Sequence, residues 1–303
     1  MIALRGVSKT YRSLLGKQVR AVEDVTLDVA PGEVLGIAGP NGAGKSTIIS
    51  LLLGFLRPTT GTLTIDGMAP RAFVEKFGVA YVPELMALPT HWTAEGALRR
   101  LAVLAGVPAD KLASEVDRVI DVLAIGEHRK KRLKTLSKGN FQRVGLAQAL
   151  LMPARVVIFD EPTHGLDPVW TQKFREIVAS LKQADRAIII ASHNLDELER
   201  LTDRVAIMDR GRVQRVVTVS GASVTALMAY RIRVVAGGDA LVAQFPAGML
   251  GATGDFDIPP VDIPTLNAGL AAAISAGALI SAVIPRESAL EQAFHSAVGA
   301  GPQ

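Results

Sequence analysis

Several short stretches combine residue types whose spacing could do chemistry. In GPNGAGKST, residues 39–47, Gly39, Pro40, Asn41, Gly42, Ala43 and Gly44 form a loop that can curl backbone N–H groups around a β-phosphate. Lys45 then reaches β- and γ-phosphates, and Ser46 supplies a hydroxyl for Mg2+. In RVVIFDE, residues 155–161, an apolar run of strand length delivers Asp160 and Glu161 at its end. A first acid there can hold Mg2+, directly or through its water, and a second can orient or deprotonate an attacking water. Two adjacent acids alone are more often a solvated turn; beside a phosphate loop, the nucleotide reading is the stronger. His193 ends the next β-branched run, RAIIIASH, where an imidazole could donate to a γ-phosphate. In LSKGNFQRV, residues 136–144, Ser137 opens a turn, Gly139 follows, and a helical pattern begins, an arrangement suited to an anion with Lys138 beside it. THGLDP, just past Glu161, is a turn in which Asp167 offers a contact for another subunit.

The elements that must position these residues can be read from periodicity. EVLGIAG is a strand-length apolar run before the loop, and IISLLLGFL after it reads as a helix stopped before Pro58. Residues 1–31 alternate weakly and suggest a small antiparallel strand set. Residues about 85–150 are mostly helical in pattern, as in TAEGALRRLAVLAG and DKLASEVDRVIDVLAI. Strands then alternate with helices, which argues for a parallel sheet covered on both faces. RVAIMDRGRVQRVV reads as a hairpin turning at Asp209–Gly211. Beyond about residue 217 charges thin out and Gly, Ala and Pro rise, so residues 1–216 and 217–303 are taken as separate domains.

The 303 residues are 49% hydrophobic and 20% charged, enough for a substantial core and unlike a disordered chain. No cysteine is present, which excludes disulfides, thiolate metal sites and a cysteine nucleophile. A net charge of +4 is too small to select nucleic acid or an anionic membrane. The basic run Arg129, Lys130, Lys131, Arg132 and Lys134 reads as a solvated loop before the helix that LSKGN opens, and no nucleic-acid partner is expected. MIALRGVSKTYR has no apolar signal-peptide core. The uncharged stretch from Ile263 to Pro285 is rich in Ala, Ser and Gly, and reads as a buried helix and a core strand rather than a membrane span.

The order of these motifs (phosphate loop, LSKGN, acid pair, histidine) resembles the ATP-binding subunits of ABC transporters over residues 1 to about 215. The resemblance implies an α/β fold with a P-loop, RecA-like parallel sheet, an antiparallel strand set, a helical lobe and a small C-terminal α+β domain. It makes Gly39–Thr47, with Thr47 at its end, the Walker A loop, Tyr11 the aromatic that stacks on adenine, and Asp160 the Walker B acid. Glu161 becomes the catalytic carboxylate, His193 the switch histidine, Ser137 and Gly139 the signature, and Asp167 the D-loop acid. Glu84 stands where the family usually has a glutamine that touches Mg2+. Lys138 and Asn140 replace a glycine and a glutamine of the signature, and His164 replaces a more usual serine or asparagine.

The resemblance further implies ATP and Mg2+ as ligands and a second copy of the chain to complete each site. It also implies a separate multi-span membrane permease and a cytoplasmic location, peripheral on the inner face of the cell membrane. VIPRESALEQAF, residues 283–294, resembles the ending of exporter ATPases of the daunorubicin-resistance type. An importer subunit is a further option. The competing class is a soluble ATPase of the same type acting on nucleic acid, ribosomes or cofactor assembly. Against it, LSKGN follows the phosphate loop without a long heptad insertion, and only one ATPase core is present.

Overall fold

Strand β3 (Val34–Ala38) is buried along its whole length, runs into the loop at 39–44, and re-emerges as helix α1 (Lys45–Leu52). It belongs to the first of two units, Met1–Thr218; the second is Val219–Gln303. The computed structural model describes residues 1–12, 18–219, 228–251, 254–286 and 289–298.

In the first unit, β1 (Ile2–Arg12) pairs antiparallel with β2 (Gln18–Val29) and with β4 (Thr60–Ile65), forming a sheet ordered β2-β1-β4. Helix α2 (Pro70–Phe77), with proline in its first turn where no N–H is needed, leads to the short β5 (Ala80–Val82). Helices α3 (Ala94–Leu104), α4 (Leu112–Val122) and α5 (Lys138–Leu151) pack together as a helical lobe, burying Leu98, Val116, Val119, Val144 and Ala147. Then β6 (Val156–Asp160), α6 (Pro168–Leu181), β7 (Ala187–Ser192), α7 (Leu195–Leu201), β8 (Arg204–Asp209) and β9 (Arg212–Thr218) complete the unit.

These strands form a sheet ordered β5-β6-β7-β3-β8-β9, parallel except for the β8–β9 hairpin. Val156–Phe159 and Ala187–Ala191 are fully buried, as expected where helices cover both faces of a parallel sheet. Phe159 meets Phe174 of α6 edge-on at 5.2 Å between ring centres, a geometry worth about 0.5–1.5 kcal/mol beyond burial. Because β3, β6 and β7 run parallel, their C-terminal ends share one edge of the sheet. That edge carries the loop at 39–47, the acid pair and His193.

In the second unit, β10 (Met228–Ala236), α8 (Gly238–Gln244), β11 (Met249–Leu250), β12 (Asp255–Val261), α9 (Ile263–Ser275), β13 (Leu279–Pro285) and α10 (Ala289–Val298) follow. The antiparallel sheet, ordered β11-β12-β10-β13, joins α8 and α9 in a small core around Ile232, Leu241, Phe245, Phe256 and Leu266.

Two expectations need correction. The 263–285 stretch is helix then strand, but α9 buries only Leu266 and Ala273, and β13 is an edge strand half-covered at Ile280 and Ala282. Even the large Ile274, Leu279, Val283 and Ile284 are exposed there, so absence of charge did not mean burial. No helix among the described residues is long and apolar enough to cross a membrane. Helix α1 closes at Leu52, short of the Pro58 stop, because Gly54 turns the chain at φ 70°. A Cβ there would come within 2.6 Å of the Arg71 backbone, so only glycine fits.

Candidate nucleotide site at the sheet edge

The loop after β3 is shaped to leave donors exposed. Gly44 caps α1 in the left-handed region at φ 107°, where a Cβ would meet the Ala21 carbonyl at 2.5 Å. No side chain caps α1, so its first-turn N–H groups, from Lys45 to Thr47, remain for a ligand. At Gly42 an added Cβ would meet nothing within 4 Å, consistent with a loop that cradles something larger. Lys45 is buried, and its Nζ donates to the Gly39 carbonyl at 2.6 Å and to the Pro40 carbonyl at 3.5 Å.

Opposite the loop, Asp160 ends β6 and Glu161 follows at φ 46°, a strained region for a residue with a side chain. The Glu161 N–H donates to the Ala191 carbonyl at 2.8 Å, extending the β6–β7 ladder by one bond. Its carboxylate is buried and held on several sides. His193 Nδ1 lies 2.8 Å from Oε2, the Ser192 hydroxyl donates to Oε2 at 3.2 Å, and Lys45 Nζ is 3.6 Å from Oε1. Burial pushes the Asp160 carboxyl up to about 6, with the charges of Glu161 and Glu84 adding to the shift and Lys45 opposing it. Burial likewise pushes the Tyr81 phenol on β5 up to about 12, assisted by Asp160 and Glu84.

This crowding of negative charge is what a cation would relieve. Among the described residues no cluster of three or more His, Asp or Glu side chains forms a ready metal cage. Mg2+, however, is commonly bound by one or two carboxylates together with substrate phosphates, and the hard oxygens of Ser46, Asp160 and Glu84 fit that mode. A cleft of about 550 Å³ is lined by Tyr11, Val19, Ala21, residues 40–47, Glu84, Asp160, Glu161, His164 and His193. Its volume and uncapped donors suit a nucleoside triphosphate.

Ser137, Gly139 and Asp167 do not line this cleft. Ser137 caps α5, its Oγ accepting from the Asn140 N–H at 3.2 Å, and Asp167 caps α6 by accepting from the Trp170 N–H at 2.9 Å. Gly139 sits in the first turn of α5, where a Cβ would lie 3.3 Å from the Gly165 carbonyl. Lys138 lays its stem across Gly165 and brings Nζ to 3.4 Å from His164 Nε2. In the basic run, Arg129 is paired with Glu95 and Asp117 within the helical lobe.

The family profile described as ABC transporter matches residues 22–164. The ABC transporter ATP-binding protein NatA of Bacillus subtilis (strain 168) is 32% identical over 217 residues, covering 70% of this chain and 87% of the relative. The chain belongs to the ABC transporter ATP-binding family. An uncharacterized ABC transporter ATP-binding protein of Nostoc is 36% identical over 209 residues, covering 68% of this chain but 62% of that one. The chain thus spans less than two thirds of the Nostoc relative's length. A dimeric ATP-binding cassette in a post-hydrolysis state with ADP and Pi shares the fold at TM-score 0.66 and 22% identity, covering 73% of this chain and all of that one.

Three features of this ABC-family chain lay beyond the motifs. Ser192 reaches Glu161 from the end of β7, and nothing in RAIIIASH distinguishes it from a core serine. Thr163 donates to the buried Glu197 of α7, a contact between residues far apart in sequence. Arg143 of α5 is buried, with its guanidinium 3.7 Å over the Trp170 ring and donating to the Leu123 and Asn140 oxygens. Asn140, a departure from the usual signature, is therefore a partner for Arg143.

Proposed function

We propose that this chain binds ATP with Mg2+, closes head to tail with a second copy, and hydrolyses the nucleotide to drive a separate multi-span membrane permease. The observation that carries this is the convergence of Lys45, Asp160, Glu161 and His193 at one sheet edge while Ser137 and Gly139 stay outside that cleft. A cleft that holds the phosphate loop and both acids, yet lacks the signature turn, is half a site. The α5 N-terminus of a second chain supplies the other half, its N–H groups and Ser137 facing the γ-phosphate.

In this reading Tyr11 stacks on adenine at the cleft's rim, and the N–H groups of residues 42–47 hold the phosphates. Lys45 leaves its loop carbonyls and Glu161 for the β- and γ-phosphates. Ser46, Asp160 and Glu84 would hold Mg2+, which would supply charge neutralisation at the phosphate oxygens. Glu161 accepts the proton of the attacking water. His193 steadies that carboxylate through Nδ1 and offers Nε2 to the γ-phosphate. Asp167 meets the second copy.

The core is residues 1–216, with 217–303 an accessory domain. The ending VIPRESALEQAF supports export of the daunorubicin-resistance type. The chain acts on the cytoplasmic face of the membrane, held there by its permease.

Two measurements test this reading. The purified chain should hydrolyse ATP with Mg2+ and stop in EDTA. Extraction of membranes in detergent should retain a multi-span protein with it. No turnover under any condition, or co-purification of ribosomes or DNA instead, overturns the reading.

A further inference from the structure

Glu84, Lys138 and His164 are distant in sequence, yet their side chains form one chain of polar contacts. His164 Nδ1 lies 3.3 Å from Glu84 Oε1, and its Nε2 lies 3.4 Å from Lys138 Nζ. The ammonium has donors only, so Nε2 must be the acceptor. The ring proton then sits on Nδ1, where it is donated to the Glu84 carboxylate; these proton positions follow from the partners. Lys138 is itself placed by packing, its stem lying against Gly165, where a Cβ would approach Cε to 2.9 Å. One end of the contact chain is therefore the first residue of α5, and the other is a carboxylate lining the nucleotide cleft.

We propose that His164 is a positioning residue that ties the start of α5 to the Glu84 carboxylate within one chain, and so sets that carboxylate for the metal–nucleotide complex. Lys138 faces its own chain's His164 and acts through it, not as a second cation for the partner's phosphate. The hydrogen-bonded path from Lys138 to Glu84 runs through the His164 imidazole. The amide of glutamine offers the same acceptor and donor pair at similar reach, which makes it the conservative replacement.

The proposal rests on the ATP reading above and is tested by equilibrium binding on the full chain. Mn2+ serves as a spin probe with ATP, alongside ATP alone in EDTA. His164→Ala should weaken Mn2+–ATP affinity about three- to tenfold while metal-free ATP affinity stays at the wild-type level. His164→Gln should keep wild-type affinity for both. Lys138→Ala, on the surface of α5, should reproduce the loss in the wild-type background and add nothing in His164→Ala. His164→Ala binding Mn2+–ATP as wild type does, His164→Gln failing to restore it, or the two losses simply adding would each overturn the relay. Equal losses with and without metal would do so as well. A wild-type chain that binds no ATP would overturn the ATP reading and the relay with it.

Discussion

His193 Nδ1 and Glu161 Oε2 are 2.8 Å apart, and the other oxygen of the same carboxylate is 3.6 Å from Lys45 Nζ. The acid proposed as the base is thus bound from both sides by the cations and donors proposed for the γ-phosphate. In the proposed reading, nucleotide binding is an exchange of partners in which Lys45 turns from Glu161 to the phosphates. The buried carboxylate then relies on Ser192, His193 and the attacking water. Lys45, Ser192 and His193 together keep this buried acid satisfied.

Glu161→Gln removes the base but keeps an oxygen for Ser192 and a shape that fits. Hydrolysis should fall about 10²- to 10⁴-fold, with ATP affinity kept. An ATP-dependent dimer should then accumulate on gel filtration. Wild-type turnover in this variant would remove Glu161 from its role.

Lys45→Ala takes away the charge-assisted contact proposed for the phosphates. ATP affinity should drop about ten- to hundredfold by titration with a fluorescent analogue. Unchanged affinity would contradict the assignment of the loop at 39–47.

Asp160 lies buried beside two other acids, so its charge destabilises the metal-free fold. Its carboxyl is raised from 3.8 to about 6, so the fold prefers the protonated form. Its own contribution to stability should therefore be fully present below about pH 4 and be lost as pH rises through 6, by at most about 3 kcal/mol. In EDTA at pH 8, Asp160→Asn should unfold at a higher urea concentration than wild type, by about 1–3 kcal/mol, with the difference vanishing near pH 4. Matching midpoints at pH 8 would refute it.

Arg143 joins the signature helix to the end of α4 and to α6, through the Leu123 carbonyl and the Trp170 ring. Arg143→Ala leaves a buried carbonyl short of a donor and should destabilise the chain by about 2–4 kcal/mol in urea unfolding. Arg143→Lys should restore little, because an ammonium cannot stack flat and fork at once. Full stability in Arg143→Lys would show that charge alone suffices.

The phosphate loop and acid pair were legible in the sequence because their chemistry is local. Glycines at 39, 42 and 44 and a lysine at 45 can be read along one short stretch, and an apolar run ending in two acids points them to a strand end. The gathering of those ends follows from parallel strand order, which alternating strands and helices imply. What stayed hidden depends on contacts across the fold. Nothing local marks His164 as the neighbour of both Lys138 and Glu84, or Arg143 as the partner of Trp170. Edge against core was also unreadable for β13, since its aliphatic Leu279, Val283 and Ile284 suit a core strand yet are exposed at the sheet edge.

The central claim is that each ATP is shared between two copies, and it can be tested by mixing two inactive variants. Lys45→Ala spoils only the loop side of a site, and Ser137→Arg only the signature side. In a mixed dimer one site carries both lesions and the other carries neither. Sharing predicts that equal mixing restores roughly a quarter of wild-type ATPase activity, since about half the dimers are mixed and each has one intact site of two. A mixture no more active than its separate components would contradict a shared site.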